Sequence, residues 1–379
     1  MSLQIKNISL YNFRNYQEFY CDNLSNLTIF VGPNAVGKTN IIESIDLLTS
    51  ISSFKNSKNN ELLGPYENFA RVQTILEDEH RSLQFKLHIS EGKKKYFYND
   101  KEKPAHKLRG IIPSITFIPD DLLLIKGSNQ GRRRALDSLG CQLAVNYPVV
   151  KKDYEQILRQ KNNLLKNEAP IELLESMNET FITYATQLYC YRVSLFEKLL
   201  PYISAYYQDI AHRNEEITAA YIPSWAAEQE DDSHLTYGDT YPDPHDKTQV
   251  KELLTKALTE NFYKEISAGR ALIGPHKDAL HFYINKRDAT IYGSQGQQRS
   301  LVLAWKLAEV RLIEELLGQK PLLLLDDVMS ELDEVRRQEL TKYVLESTQS
   351  FITTTNIDYF TADILSEAHL IELTYQKEN

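Results

Sequence analysis

Residues 31–40 read "VGPNAVGKTN", and the reading of this stretch decides the fold. It fits the pattern G-x-x-x-x-G-K-[ST] with Gly32, Gly37, Lys38 and Thr39. The apolar run "LTIFV" (27–31) before it reads as a short buried strand. After it, Ile41, Ile42, Ile45 and Leu48 share one face of a helix over 38–50. Strand, glycine loop and helix in that order make a phosphate-cradling loop. Glycine is needed where the backbone turns and approaches phosphate oxygens, and the N–H groups of the helix start then face the anion. Pro33, Asn34, Ala35 and Val36 fill the turn between the glycines. In such a loop the lysine, Lys38, reaches the β- and γ-phosphates, and Thr39 offers its hydroxyl to Mg²⁺.

A loop of this kind needs an acid at the end of a neighbouring buried strand. "PLLLLDDVMSELD" (321–333) supplies one. Adjacent acids on a strand point in opposite directions unless the strand has ended. Asp326, at the strand tip, is assigned to Mg²⁺. Asp327 is assigned as the base, or orienting acid, for the attacking water. A second stretch, "GSQGQQRS" (293–300), has no acid and no metal ligand, but it opens a helix expected over 295–317. Its glycines, serines and amides offer backbone N–H groups to a second anion.

The rest of the chain bounds these readings. At 379 residues it exceeds one ordinary core, so two lobes are expected. Lys+Arg is 43 against 52 Asp+Glu, a net charge of −9, which excludes a wholly basic nucleic-acid coat and leaves room for a local basic patch. Three widely spaced cysteines suggest neither a disulfide frame nor a zinc site and fit a reducing cytosol. No apolar run is long enough to span a bilayer. Alternation predicts a hairpin from 81–89 and 94–98 and a strand at 114–121. Helical spacing takes over from 131 to 215, broken by "KNEAP" (166–170) and interrupted at Pro201. Residues 228–246 read as an acidic surface loop, followed by a helix (247–266) and two strands flanking "NKRD" (285–288). The expected organisation is an ATPase lobe from 1–120 and 271–379, with the serine-glycine loop at its junction with a mainly helical lobe, 121–270, that holds a short antiparallel helix pair.

The order of these motifs resembles the ATPase heads of the ABC superfamily, in the SMC and Rad50 branch. The resemblance narrows to the RecF family of bacterial DNA replication and repair proteins. It is carried by "NFRNY" (12–16), "GKTNIIESI" (37–45), "FIPDDLLLIKGS" (117–128), "RRRALD" (132–137), "IGPHKD" (273–278), "YGSQGQQRS" (292–300) and "LLLDDVMSELD" (323–333), which span nearly the whole chain. It implies an α/β P-loop NTPase head with a largely helical second lobe and no long coiled coils. It implies ATP and Mg²⁺ as ligands. It also implies that Ser294, Gly296 and Gln297 form a signature loop that binds the γ-phosphate held by a partner copy's P-loop, with Asp333 of the S-x-L-D motif as a further nucleotide-binding residue. Thr355 stands near the place where transporters carry a phosphate-sensing histidine and takes a weaker sensing role. Function follows by the same resemblance: a cytoplasmic, ATP-dependent homodimer that clamps double-stranded DNA near single-strand/duplex junctions. It would work with RecR in replication, recombinational repair and SOS induction, with weak DNA-stimulated hydrolysis releasing the clamp and recombinase loading as the outcome. The alternatives are a transport ATPase subunit and a Rad50-like nuclease partner.

Three departures stand out. Ala35-Val36 lies where many SMC-type heads have a glycine. The signature is Ser-Gln-Gly-Gln-Gln rather than the transporter form Ser-Gly-Gly-Gln. "SSFKNSKNNELL" (52–63) has lysines, Lys55 among them, where the family often has arginine. For DNA, Arg132, Arg133 and Arg134 crowd one turn at an expected helix start, where cations oppose the dipole; they either meet an anionic partner or pair with Asp120, Asp121 or Asp137. Lys93–Lys95, Lys151, Lys152, Lys161, Lys166 and Lys277 are further basic candidates, and His276 shares Lys277's motif.

Overall fold

The computed structural model describes residues 3–55, 57–211, 215–225, 243–347 and 349–375. The chain divides into two units, Met1–Asp121 with Glu309–Asn379, and Leu122–Ala308, so residues 271–308 fall in the second. In chain order the first unit opens with β1 (Gln4–Phe13), β2 (Tyr16–Cys21), β3 (Leu27–Val31), α1 (Lys38–Thr49), β4 (Phe69–Glu77), β5 (Ser82–Ser90), β6 (Lys93–Tyr98), β7 (Lys101–Lys103) and β8 (Ser114–Phe117). The second holds α2 (Asn129–Leu143), α3 (Tyr147–Lys166), α4 (Ile171–Ala211), β9 (Ile217–Ile222), α5 (Lys247–Ala268), β10 (Ala279–Ile284), β11 (Arg287–Asp288) and the start of α6 (Gln295–Leu317). The first then resumes with β12 (Leu322–Asp326), α7 (Glu334–Glu346), β13 (Ser350–Thr354), α8 (Ala362–Glu367) and β14 (His369–Glu372).

In the first unit a parallel sheet runs in the order β14-β3-β13-β12-β8. Its inner strands β3, β12 and β13 are buried almost throughout. That is why they read as unbroken apolar runs rather than as alternation. Register pairs Thr354 with Val31 and Asp326 with Thr353, so three parallel strands end together. An antiparallel sheet, β2-β1-β4-β5-β6-β7, shows the other pattern: β4 and β5 alternate buried and half-buried residues along their length. Its inner residues Val72, Phe85 and Leu87 join Ile41, Ile42 and Ile45 of α1 in one core, and α1 touches β5 as well as β8, β12 and β13.

The second unit is built on α4, which packs against α2, α3 and α5. The break at 167–170 falls as expected, and α3, at about 1.5 Å per residue, spans only roughly 30 Å. Among the described residues there is no long coiled coil. Two sequence expectations need correction. Pro201 does not interrupt the helix, because α4 runs from Ile171 to Ala211 straight through it. Its neighbours Leu199, Leu200 and Ile203 are buried, and their packing outweighs the one backbone hydrogen bond that proline removes. The helix carrying the three arginines starts at Asn129, so they stand beyond its first residues and the dipole argument weakens. Of the expected acidic loop, residues 228–242 lie outside the described residues; Asp246 at its end caps α5, accepting from the N–H groups of Thr248 and Gln249.

Candidate nucleotide site

The loop between β3 and α1 is shaped by its glycines. A Cβ on Gly32 would lie 2.7 Å from the Leu373 carbonyl oxygen. Gly37 adopts φ 111°, and a Cβ there would lie 2.6 Å from both Asn15 Nδ2 and the Tyr16 hydroxyl. Asn15 donates to the Val36 carbonyl (3.1 Å), which fixes the turn from outside. Pro33, Asn34 and Ala35 form an exposed lip, with Asn34's carbonyl accepting from the Tyr375 hydroxyl at 2.9 Å. Lys38 is buried and folds back, donating to the carbonyls of Gly32 (2.7 Å) and Pro33 (2.9 Å). Burial pulls its ammonium pKa down, against the attraction of Asp327 and Asp326.

The acids meet this loop at the strand tips. Asp326 closes β12 and accepts from the hydroxyls of Thr39 (2.9 Å) and Thr353 (2.7 Å). Burial raises its pKa in spite of those two bonds. The strand ends there: Asp327 turns into the left-handed region (φ 51°), its N–H donating to Thr353 Oγ1 at 3.0 Å. Asp327 Oδ1 is buried with no hydrogen-bond partner. Burial raises this carboxyl too, against the pull of Lys38, and the Thr355 backbone N–H lowers it slightly. Lys38, Thr39, Asp326, Asp327 and the Thr355 backbone therefore gather at one place, as the parallel register dictates. Thr39 and Asp326 present hard oxygen donors suited to Mg²⁺.

The signature loop belongs to the second unit. Ser294 N–H donates to Gln297 Oε1 (2.8 Å) and Gln297 N–H to Ser294 Oγ (3.2 Å), a reciprocal box that starts α6. Gly293 is required because a Cβ would lie 2.5 Å from the Ala289 carbonyl oxygen. Ser294 is exposed and Gly296 half-buried. Asp333 caps α7, accepting from Arg336 N–H at 3.0 Å and pairing with the Arg336 guanidinium.

The basic candidates separate sharply. Arg132 is 4% exposed and points inward, its guanidinium donating to the carbonyls of Leu124, Ile125 and Gly127 and to Asn129 Oδ1. It is therefore not a DNA-facing residue, and its partners are carbonyls rather than the expected acids. Arg133 is half-buried and donates to the Asp278 carbonyl; Arg134 is exposed. Lys161 is also removed from the surface, paired with Glu265 at 2.6 Å and set over the Phe181 ring. Lys277 is exposed on a turn whose neighbour His276 is held by the Tyr154 hydroxyl at 2.7 Å.

Sequence reading missed a hub under the nucleotide loop. Glu43 of α1 is fully buried and takes both arms of Arg14 (2.7 and 2.9 Å), the Ser53 hydroxyl (2.5 Å) and, at 3.7 Å, the Lys55 ammonium. Burial would raise its carboxyl, but the Arg14 and Ser53 hydrogen bonds outweigh it and hold the pKa below the usual range. Arg14 and Glu43 each stood in a quoted motif with opposite charge, the signal that could have joined them. Arg14, Asn15 and Asn40 also line a cavity of about 870 Å³ with Asn60, Tyr66 and Asn68.

A glycine-shaped phosphate loop facing a strand-end acid, with a serine-glycine helix start elsewhere in the chain, defines an SMC-type ATPase head. A family model described as the RecF/RecN/SMC N-terminal domain matches residues 4–378. The DNA replication and repair protein RecF of Staphylococcus carnosus (strain TM300) is 34% identical, covering 98% of each chain. Two solved structures of the recombination mediator protein RecF in the RecFOR pathway are similar over almost the whole fold. The ATPrS form has a TM-score of 0.84 at 29% identity (95% of this chain, 94% of that one), and the ATP form 0.80 at 30% (94% of each). The chain belongs to the RecF family of DNA replication and repair proteins.

Proposed function

We propose that the chain is an ATP-switched DNA-binding protein, two copies of which close on two nucleotides and hold duplex DNA at single-strand/duplex junctions, with RecR as a partner in recombinase loading. The observation that carries the reading is the convergence of Lys38, Thr39, Asp326 and the unpartnered Asp327 oxygen at the tips of β3 and β12. Family membership places it with RecF proteins solved with ATP and ATPrS. Lys38 leaves its two loop carbonyls for the β- and γ-phosphates. Thr39 and Asp326 would hold Mg²⁺, which would supply charge neutralisation at the phosphates. Asp327 Oδ1 orients the attacking water and takes its proton, a role that its raised pKa suits. The nucleoside end occupies the cavity beside Arg14, Asn15 and Asn40. Ser294, Gly296 and Gln297 meet the γ-phosphate of the partner copy, Asp333 lies at that joint, and Thr355 senses the same phosphate from its own side. Arg134 is left as the solvent-facing arginine of its run for DNA. A cytoplasmic setting agrees with the reading, and no helix among the described residues is long and apolar enough to cross a membrane.

Retention of a tailed duplex with and without ATP·Mg²⁺ tests the proposal. Wild-type protein should retain DNA strongly only with ATP. Lys38→Met should lose the ATP effect. Asp327→Asn should keep it and persist on DNA, because the base is gone and the Mg²⁺ ligand kept. Hydrolysis by Asp327→Asn at the wild-type rate would remove Asp327 from its role, and ATP-independent retention would sink the switch.

A further inference from the structure

Gln297 has its side chain committed at two of its four hydrogen-bonding positions. Its Oε1 accepts from Ser294 N–H at 2.8 Å, and its Nε2 donates to Glu215 Oε1 at 2.9 Å. One amide N–H is left over. The orientation is forced: a flipped amide would set N–H against the Ser294 N–H and oxygen against the Glu215 carboxylate. Glu215 is itself held. Its Oε2 accepts from the Tyr207 hydroxyl at 2.6 Å, and Tyr207 is fully buried near the end of α4. The next residue, Glu216, exchanges hydrogen bonds with Asn285: Glu216 N–H to Asn285 Oδ1 (2.9 Å) and Asn285 N–H to the Glu216 carbonyl (2.9 Å). Gln297 also lines a cavity of about 380 Å³ together with Asn285, Arg287, Tyr292 and Gly293, and the cation of Arg287 favours an anion there.

We propose that Glu215 is a positioning residue of the signature loop: it holds the Gln297 amide so that its remaining N–H, with the Ser294 hydroxyl, faces a phosphate carried by a second copy of this chain. The proposal rests on the reading above, in which this loop serves the partner's nucleotide. A carboxylate near a triphosphate is electrostatically unfavourable, so its place here is explained by hydrogen-bond geometry and not by charge. Through Tyr207 the same contact ties the loop to α4.

The test is ATP-dependent cross-linking of differently tagged full-length chains, with binding of a fluorescent ATP analogue and the melting temperature measured alongside. Glu215→Ala should raise the ATP concentration for half-maximal cross-linking about tenfold, with analogue binding to the single chain and melting temperature close to wild type. Glu215→Gln can accept from Gln297 and donate to the Tyr207 oxygen. It should therefore cross-link at the wild-type ATP concentration or below, since the like charge is gone. Ser294→Arg is the control for the underlying reading and should not cross-link. If Ser294→Arg fails and Glu215→Ala behaves as wild type, the Glu215 role is overturned while the trans reading stands. Equal losses in Glu215→Ala and Glu215→Gln also overturn it, because the amide keeps both contacts. Normal cross-linking by Ser294→Arg removes the reading itself, and the inference with it.

Discussion

Ala35 adopts φ 64°, a backbone region that costs an L-residue roughly 1–2 kcal/mol. The loop keeps its phosphate-binding shape because Gly32 and Gly37, where a Cβ has no room, are retained. Residue-scale chemistry also sets a pH dependence in the second unit. Burial lowers the pKa of His276 to about 4. Below its unfolded pKa of roughly 6.5 the unfolded chain takes up a proton that the folded chain refuses. Stability is therefore lost as pH falls from about 6.5 towards 4, at up to about 1.4 kcal/mol per pH unit from this group. Urea midpoints at pH 6.5, 5.5 and 4.5 should fall less steeply for His276→Gln than for wild type. Parallel lines for the two proteins would show that His276 titrates normally.

At the scale of elements, α1 does two jobs. Its first residues face the phosphate loop, and one turn later Glu43 fastens Arg14 and the segment that follows the helix. Helical periodicity found the apolar face of α1 but gave no sign that its acid is buried, since a lone glutamate between isoleucines reads equally well as solvent-facing. Glu43→Gln leaves the mostly buried Arg14 guanidinium without its countercharge and should destabilise by about 3–5 kcal/mol. Chemical denaturation reads this directly; a loss below about 1 kcal/mol would mean that water replaces the pair at no penalty. The same limit of pattern reading explains Pro201. A proline forecasts a break from local sterics, whereas three buried neighbours hold α4 continuous.

For the whole molecule, the proposed closure of two copies on two nucleotides predicts that damage to the phosphate loop and to the signature loop should complement in trans. Lys38→Met and Ser294→Arg should each fail to form the ATP-linked dimer, because both joints of each homodimer are spoiled. Mixed, the two lesions fall into one joint, and the other unites an intact phosphate loop with an intact signature loop. Tagged heterodimers should then reappear on adding ATP, with partial recovery since half the nucleotide-linked association is lost. No heterodimer above the level of either variant alone would confine both loops to their own chain.

The sequence by itself determined the phosphate loop with its two obligatory glycines, the Asp326–Asp327 strand end, the helix opening at "GSQGQQRS" and the family, because each is a local pattern whose chemistry is written in consecutive residues. The tertiary structure decided which charges face water. Arg132 and Lys161, two of the basic candidates for DNA, turned inward onto carbonyls and Glu265, while Glu43 and Arg14, 29 positions apart, became an ion pair with the acid fully buried. Glu215 and Gln297, separated by 82 positions, met only through the fold. The physical reason is the same in each case: burial and pairing depend on which distant element covers a side chain, and no spacing rule along the chain encodes that.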